Sequence, residues 1–353
     1  MSKRCSFMMR LVIGLAFLIF GGSAAMADEF YKGKVIRLIV GAPPGGGYDT
    51  YSRTIARHLT KHIPGKPTIF VQNMPGAGTL IAANYSYNKA KGDGLTISVW
   101  TGASVLLQTL GDKSVRIDPK KVGWLGAPST GTPICAIMGF TGHKTLDDVL
   151  TSKKRIKLGA TRAGSPYYDV PSILNRTLGA NFEIISGYSG TSLIRLAMQR
   201  REVDGACWTW ESMKVSASAM LNAKGDDRLI PYIIHSREDD PEVKGLPLIP
   251  EVIKAKAGKE ALATYDAWAA PYDFMRPYSV PPGTPKERLE ILRKAFAATM
   301  QDPGFLADAK RSRLNLKFIP GNEIEIRVDE ILSMSPKTKE SLSFLVRGKK
   351  KRK

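Results

Sequence analysis

Residues 35–49 read VIRLIVGAPPGGGYD, and this stretch decides the fold. Its first six residues form a largely apolar run that is typical of a buried strand. A glycine-rich loop follows, and large apolar residues then recur at every fourth position, which predicts a helix ending at Pro64-Gly65: Tyr51, Ile55, Leu59 and Ile63. A strand, a glycine loop and a helix in this order predict an α/β fold, in which ligands bind at the carboxyl ends of strands.

The same order recurs outward from this stretch. Predicted strands at 68–71 and 95–100 flank a predicted helix at 78–91, which indicates a parallel sheet with right-handed crossovers. The pattern restarts beyond residues 126–133. Further strands are predicted at 134–138, 156–160, 182–185, 203–207 and 229–234, with helices at 146–150, 170–178 and 192–200. Two similar α/β units in one chain predict two lobes.

The last third of the chain has the pattern of helices, and we expect it to return to the first lobe. The predicted organisation is a leader at 1–27, a first lobe at 28–127, a second lobe at 128–264, a return to the first lobe at 265–346 and a basic tail at 347–353.

The leader is predicted from a positive start, the apolar run LVIGLAFLIF at 11–20 and the small residues Ala25-Met26-Ala27. These features predict export to the periplasm, with cleavage near Ala27; a membrane anchor is the alternative, although the run is short for a bilayer. The full chain carries a net charge of +20, and the three cations of the leader and six of the tail account for less than half of it. A basic exported protein suits anionic small ligands or an anionic membrane surface. The tail lacks interleaved aromatic residues, so a solvated end is favoured over nucleic-acid binding.

Two cysteines remain in the exported chain. Export permits a disulfide between Cys135 and Cys207, but both lie in strand-like runs, where buried free thiols are the favoured expectation. Both possibilities stay open.

The loop after the first predicted strand is the main candidate for ligand binding. Successive glycines allow backbone N–H groups to approach an anion beside a helix N-terminus. Asp49 suits the N-cap position, which would make its role structural. A P-loop needs lysine and then Ser/Thr where Gly47 and Tyr48 stand, so a smaller anion such as a carboxylate is expected. The candidate contacts are Pro44, Gly45, Gly46, Gly47, Tyr48 and Asp49.

Loops after other predicted strands repeat this arrangement in both units. The first unit adds Asn73, Gly76, Ala77, Gly78, Thr101 and Ser104, and the second adds Gly164, Ser165, Tyr188, Thr191, Trp208 and Glu211. Ordinary turns between strands and helices are the alternative for each loop, and Trp208 could equally belong to the core. Small and hydroxyl residues on both units predict a cleft that closes on a polar ligand.

Catalytic patterns are weak. His58 and His62 lie four residues apart, but HLTKH lacks the glutamate of a zinc-protease motif, and residues 187–191, GYSGT, miss the last glycine of a nucleophile elbow. No catalytic residue, metal or cofactor is predicted.

Four segments resemble the extracytoplasmic solute-binding proteins of tripartite tricarboxylate transporters, the Bug or TctC-like family. They are VIRLIVGAPPGGGYDTYSRTIARHL at 35–59, VQNMPGAGTLIAANY at 71–85, GYSGTSLIRLAMQRREVDG at 187–205 and SVPPGTPKERLEILRKAFAATMQDPGF at 279–305. The resemblance implies a type II periplasmic-binding-protein fold, with a mostly parallel sheet in each lobe and a hinge between the lobes. It also implies capture of a small organic acid for a membrane permease.

In this family the proximal carboxylate is held by loops of both lobes, largely through main-chain groups and bridging water. The resemblance thus implies roles for Gly45–Asp49, Asn73, Gly76–Gly78 and Gly164-Ser165. Tyr48 stands where a small residue is common, Tyr167-Tyr168 lie where many members carry a histidine, and residues 208–211 are unusually aromatic. These departures indicate an aromatic or bulkier carboxylate.

The expected function is therefore a monomeric periplasmic binding protein for a carboxylate, with permease subunits as partners and no nucleic acid. A secreted enzyme acting on a carboxylate ester or sugar acid, and a basic surface-associated protein, are the alternatives.

Overall fold

The computed structural model describes residues 30–235 and 243–347. The predicted leader and residues 348–353 of the predicted tail lie outside the described residues. Within the described part of the chain, no helix combines the length and hydropathy needed to cross a bilayer.

The strands form two separate sheets, one for each lobe. The first contains β1 (Val35–Val40), β2 (Thr68–Asn73), β3 (Thr96–Val99), β4 (Gly123–Ala127), β10 (Tyr278–Val280) and β11 (Ile319–Pro320), and the second contains β5 (Pro133–Met138), β6 (Ile156–Gly159), β7 (Phe182–Ile185), β8 (Gly205–Thr209) and β9 (Leu229–Ile234). The strand orders are β11-β4-β10-β3-β1-β2 and β7-β6-β8-β5-β9. The predicted crossing between the lobes falls between β4 and β5.

Both sheets are mixed. The parallel pairs are β1 with β2 and β3, and β6 with β7 and β8. Strands β10 and β11 pair antiparallel to their neighbours, as do β5 with β8 and β9. Strands β1 to β4 nevertheless share one direction in the first sheet, and β6 to β9 share one in the second, so most strands of each sheet are parallel in direction, as expected. The strands that follow a crossing between lobes enter their sheet in the opposite direction.

Helices cover the faces of the two sheets. In chain order they are α1 (Gly47–Leu59), α2 (Leu80–Asn88), α3 (Ala103–Thr109), α4 (Leu146–Leu150), α5 (Pro166–Leu178), α6 (Thr191–Gln199), α7 (Trp210–Ser216), α8 (Ser218–Leu221), α9 (Ile249–Ala269), α10 (Lys286–Gln301), α11 (Pro303–Arg311), α12 (Gly321–Leu332) and α13 (Pro336–Arg347).

The C-terminal segment returns to the first lobe only in part. Strands β10 and β11 enter the first sheet, α10 and α12 pack on β4, and α11 packs on α1. The last helix, α13, packs instead on α5 and α9, and the Leu345 carbonyl accepts a hydrogen bond from Arg176 in α5. The expectation that all of 265–346 belongs to the first lobe is therefore wrong for α13. Its buried residues, Leu342, Leu345 and Val346, cover the helical face of the second lobe.

Cys135 and Cys207 form a disulfide. They are direct cross-strand partners in the antiparallel β5–β8 pair, with Cα atoms 4.0 Å apart, and both side chains are fully buried. The choice between a disulfide and free thiols, which the sequence left open, is therefore decided by strand register. The disulfide links β5, the first strand of the second lobe, to β8, the strand that precedes α7.

Candidate functional site

A cavity of about 50 Å³ lies between the two lobes. Its wall is formed by the residues at which helices of both lobes begin. The lining residues are Gly41, Ala42, Pro43, Gly46, Gly47, Tyr48, Gly78, Thr79 and Thr101, with Met275 from the segment between α9 and β10, and Thr161, Ser165, Pro166, Tyr167, Ser189, Gly190 and Thr191 from the second lobe.

Three helix N-termini point their first residues into this wall. Helix α1 contributes Gly47 and Tyr48, α5 contributes Pro166 and Tyr167, and α6 contributes Thr191. The first N–H groups of a helix have no intrahelical acceptor, and the aligned peptide dipoles place partial positive charge there. Helix starts from opposite lobes thus place partial positive charge around one small space, which favours an anion.

Asp49 organises the loop before α1 from inside the protein. The N-cap is Gly46, so the expectation that Asp49 caps the helix is wrong: Asp49 is the third residue of α1, and its carboxylate accepts from the Gly45 amide at 3.0 Å. Burial raises the pKa of Asp49, but hydrogen bonds from Arg53, Gly45 and Asn73 outweigh it and the net pKa is lowered. The Asp49 carboxylate, hydrogen-bonded through both oxygens, thus holds the shape of the glycine loop.

Asn73 joins the first two loops of the first lobe. Its amide nitrogen donates to the Ala42 carbonyl at 2.8 Å and to the Asp49 carboxylate at 2.9 Å, while its oxygen accepts from Arg53. Both polar atoms of Asn73 are therefore used to hold the loop, and Asn73 does not line the cavity.

The second loop carries backbone strain at the cavity wall. Ala77, Gly78 and Thr79 have φ values of +46°, +57° and +77°. Such a conformation is rare for a β-branched residue and indicates a constraint imposed by the surroundings. The Thr79 hydroxyl accepts the Thr101 amide at 2.9 Å, so the strained loop is tied to the third loop of the same wall.

The second-lobe wall is a network of hydroxyl groups around the starts of α5 and α6. The Thr161 hydroxyl donates to Ser165 at 2.7 Å, and Ser165 donates to the Arg162 carbonyl at 2.7 Å. The Tyr167 and Thr191 hydroxyls lie 2.5 Å apart. Burial raises the pKa of Tyr167, so its phenol remains protonated and available as a donor.

Several glycines are required because the facing lobe lies against them. A Cβ on Gly47 would lie 2.2 Å from the Ser212 hydroxyl, and one on Gly190 would lie 2.7 Å from Pro43. A Cβ on Gly78 would lie 2.9 Å from the Arg162 side chain. These contacts cross between lobes and surround the cavity, so the structure is a closed arrangement. The glycines serve close approach between protein surfaces as well as access to backbone amides.

Arg276 is a fully buried cation behind the cavity wall. Its guanidinium donates to Ser129 at 3.0 Å and to Thr209 and Ser212 at 2.8 Å each. The ring centroids of Tyr48 and Tyr51 lie 5.4 and 4.9 Å from its Cζ.

Burial acts to lower the pKa of Arg276, but nearby Tyr51 and Glu211 outweigh it, so the net pKa is raised and the charge is retained. Through its hydrogen bonds and its contacts with the two tyrosine rings, this charged side chain connects α1 of the first lobe to β8 and α7 of the second.

The predicted site residues divide into two groups by position. Seven lie in the cavity wall: Gly46, Gly47, Tyr48, Gly78, Thr101, Ser165 and Thr191. The others lie outside it: Pro44, Gly45, Asp49, Asn73, Gly76, Ala77, Ser104, Gly164, Tyr188, Trp208 and Glu211. Trp208 is fully buried and stacks on Tyr167 with ring centroids 6.3 Å apart, so it supports the wall from behind.

Glu211 is also buried, and its carboxylate accepts the Thr132 amide at 3.3 Å. Gly164 approaches the opposite lobe rather than the cavity, since a Cβ there would lie 2.3 Å from Leu107.

Some wall residues were absent from the predicted set. Thr161, Tyr167, Ser189 and Gly190 adjoin predicted residues in the same loops, and a rule that takes whole loops would have found them. No sequence pattern pointed to Met275 as a site residue. It lies far along the chain from the other wall residues, and only the tertiary fold brings it to the cavity. Among the described residues, no group of three or more His, Cys, Asp or Glu side chains is arranged to hold a metal ion.

Comparisons with known sequences identify two relatives from Bordetella; no family model matches the chain. Protein BugT of Bordetella pertussis is 34% identical over 95 residues, a match that covers 27% of this chain and only 28% of BugT. A UPF0065 protein of Bordetella bronchiseptica is 23% identical over 299 residues, covering 83% of this chain and 81% of that protein.

Solved structures of similar fold cover nearly all of the described chain. The periplasmic binding protein BugD superposes with a TM-score of 0.71 at 18% identity, covering 89% of this chain and 98% of BugD. MatC of Rhodopseudomonas palustris with bound malate gives 0.66 at 20% identity, covering 88% and 99%. An R. palustris protein with adipate gives 0.68 at 16% identity, covering 88% and 97%. These likenesses confirm the two-lobed periplasmic-binding-protein fold.

Proposed function

We infer that this chain, a Bug/TctC-like protein, is a periplasmic solute-binding protein that captures a small organic acid between its lobes for a tripartite tricarboxylate-type transporter. The observation that carries the proposal is the convergence of three helix N-termini, from both lobes, on one cavity. Structures of the same fold that hold malate and adipate support a carboxylate as the ligand.

Capture of the ligand would follow from the division of the site between the two lobes. One wall supplies the start of α1 and the other the starts of α5 and α6, so a carboxylate can engage all three only when the lobes are together. Contacts outside the cavity also form between lobes, such as Arg162 to Asp112 at 2.9 Å and Lys214 to Asn315 at 2.6 Å. A ligand that bridges the walls shifts the population toward the closed arrangement in proportion to its extra affinity for it.

Binding is favoured over catalysis by the composition of the wall. The described wall contains hydroxyl residues but no His, Lys, Asp or Glu side chain to act as a base beside them. Its polar groups are amides and hydroxyls, which stabilise an anion without exchanging protons with it. The secreted-enzyme alternative therefore gains no support here.

Delivery to permease subunits and a monomeric state complete the proposal. Both follow from the resemblance to solute-binding proteins of such transporters, and the closed lobes would present a surface to the permease that open lobes do not.

The test is calorimetric titration of the purified exported protein, unfolded and refolded to remove bound ligand. Each carboxylate is paired with its uncharged amide, for example butyrate with butyramide and succinate with succinamide. We expect one or more carboxylates to bind while their amides do not, because only the anion gains from the helix N-termini.

Equal binding of an acid and its amide would contradict the anion site. Failure of every carboxylate to bind a refolded, compact protein would contradict the proposed function.

A further inference from the structure

The wall of the cavity carries no charged side chain. Its members are glycine, alanine, proline, methionine, serine, threonine and tyrosine residues. One carboxylate can be stabilised by the helix N-termini, but a second buried carboxylate would need its own partner, since burying an unpaired charge is costly.

Two arginines beside this wall already have partners for their terminal nitrogens, although the buried Arg276 Nε has none. Arg162 pairs with Asp112 at 2.9 Å and also donates to Ser114. Arg276 donates to three hydroxyl groups behind the wall. Neither guanidinium lines the cavity.

Tyr48 contacts both the cavity and Arg276. It lines the cavity, its ring centroid is 5.4 Å from the Arg276 Cζ, and its hydroxyl donates to the Met275 carbonyl at 3.0 Å. Both ends of the Tyr48 side chain are thus held, and its ring packs on Arg276, a buried cation that contacts both lobes.

Apart from its hydroxyl groups, the wall is apolar. Pro43 and Pro166 line the cavity from opposite lobes, together with Met275, Tyr48 and Tyr167. Such a surface gains free energy from a hydrocarbon or aromatic group and loses it on contact with a second anion.

We propose that the site selects monocarboxylates, with a single carboxylate at the helix N-termini and an uncharged remainder against Tyr48, Tyr167, Pro43 and Pro166, and that Tyr48 determines this selectivity by screening Arg276. This inference rests on the proposed function and narrows its substrate class.

The test compares acids that differ by one charge on the same carbon skeleton. Butyrate against succinate, hexanoate against adipate, and benzoate against terephthalate are titrated into the ligand-stripped exported protein at pH 7.5. We expect the monocarboxylate of each pair that binds to bind at least tenfold more tightly than its dicarboxylate.

Two variants test the role of Tyr48. In Tyr48→Ala the screen is removed, and the preference for the monocarboxylate should fall at least tenfold because Arg276 then faces the cavity. In Tyr48→Phe the ring is kept, and the ratio of the two affinities should stay above ten even if both affinities change.

The outcomes separate the two proposals. Tighter binding of the dicarboxylate by the unmodified protein would overturn the monocarboxylate selectivity but would leave the carboxylate-binding function standing. This comparison uses only the unmodified protein, so it does not depend on whether Tyr48→Ala folds. An unchanged ratio in a folded Tyr48→Ala protein would overturn the role of Tyr48. Binding of no acid in the panel would remove both the selectivity and the proposed function.

Discussion

Gly47 and Ser212 lie so close across the cleft that a Cβ on Gly47 would be 2.2 Å from the Ser212 hydroxyl. Gly47 begins α1 of the first lobe, and Ser212 lies in α7 of the second. The same hydroxyl accepts a hydrogen bond from Arg276 at 2.8 Å, so it has little freedom to move away. Closure of the lobes thus depends on the absence of a side chain at one position of the glycine loop.

Gly47→Ala should weaken ligand binding by about fivefold to a hundredfold, because overpacking of about 1–3 kcal/mol falls on the closed arrangement. The affinity is measured by calorimetry with whichever carboxylate binds the unmodified protein. Gly46→Ala is the comparison within the same wall: a Cβ at Gly46 meets only the Pro43 carbonyl at 3.8 Å, so it should weaken binding less than Gly47→Ala. Wild-type affinity in Gly47→Ala would show that closure does not require this contact.

Asp112→Asn should weaken binding by up to about fivefold, in line with about 0.2–1 kcal/mol for a partly exposed ion pair. The pair of Arg162 with Asp112 joins the lobes at 2.9 Å, with side-chain exposures of 22% and 19%. The loss should appear in the dissociation rate and should shrink at high salt, because salt screens the pair in the unmodified protein as well.

Asp226→Asn provides the comparison for this ion pair. It breaks the exposed pair with Arg201 outside the cleft, where the side chains are 63% and 59% exposed. An effect on affinity as large as that of Asp112→Asn would contradict a specific role for the interlobe pair.

Asp302 should make the protein sensitive to acid between about pH 4 and pH 2. Its pKa is lowered from 3.8 to about 2 by hydrogen bonds from Lys61 and from the Phe305 amide. A lowered pKa means that the stabilisation is complete above the unfolded value and is lost as pH falls through the folded value.

The check is the urea midpoint between pH 5 and pH 2 for the unmodified protein and for Asp302→Asn. Asparagine can still cap α11, so the variant should show a shallower decline over this window. Identical pH profiles would mean that Asp302 does not contribute to acid sensitivity.

The double substitution Cys135→Ala with Cys207→Ala should lower the free energy of unfolding by about 2–4 kcal/mol, because the disulfide closes a long loop in the unfolded chain. Denaturant unfolding measures the difference. When the unmodified protein is unfolded by denaturant under reducing conditions, its free energy of unfolding should equal that of the variant. A variant as stable as the oxidised protein would indicate that the bond is absent in solution.

Local sequence patterns predicted the repeating units well. The bounds of β7, β9 and α4 agree with those expected, and β1 and α1 flank the glycine loop as predicted. These elements have complete apolar patterns of their own. Strands β10 and β11 escaped prediction because they are very short, and β4 because Gly123 and Gly126 interrupt its apolar run.

The sequence by itself determined that this is a two-unit α/β protein with glycine loops at helix starts, because apolar periodicity and missing side chains are local properties. Tertiary structure alone decided which loop residues face the cavity and which, such as Asp49 and Asn73, hold the loop from behind. It also paired Cys135 with Cys207, brought Met275 to the wall and set Arg276 behind Tyr48. Those relations join residues far apart in the chain, and their distances depend on strand register and on how the two lobes meet.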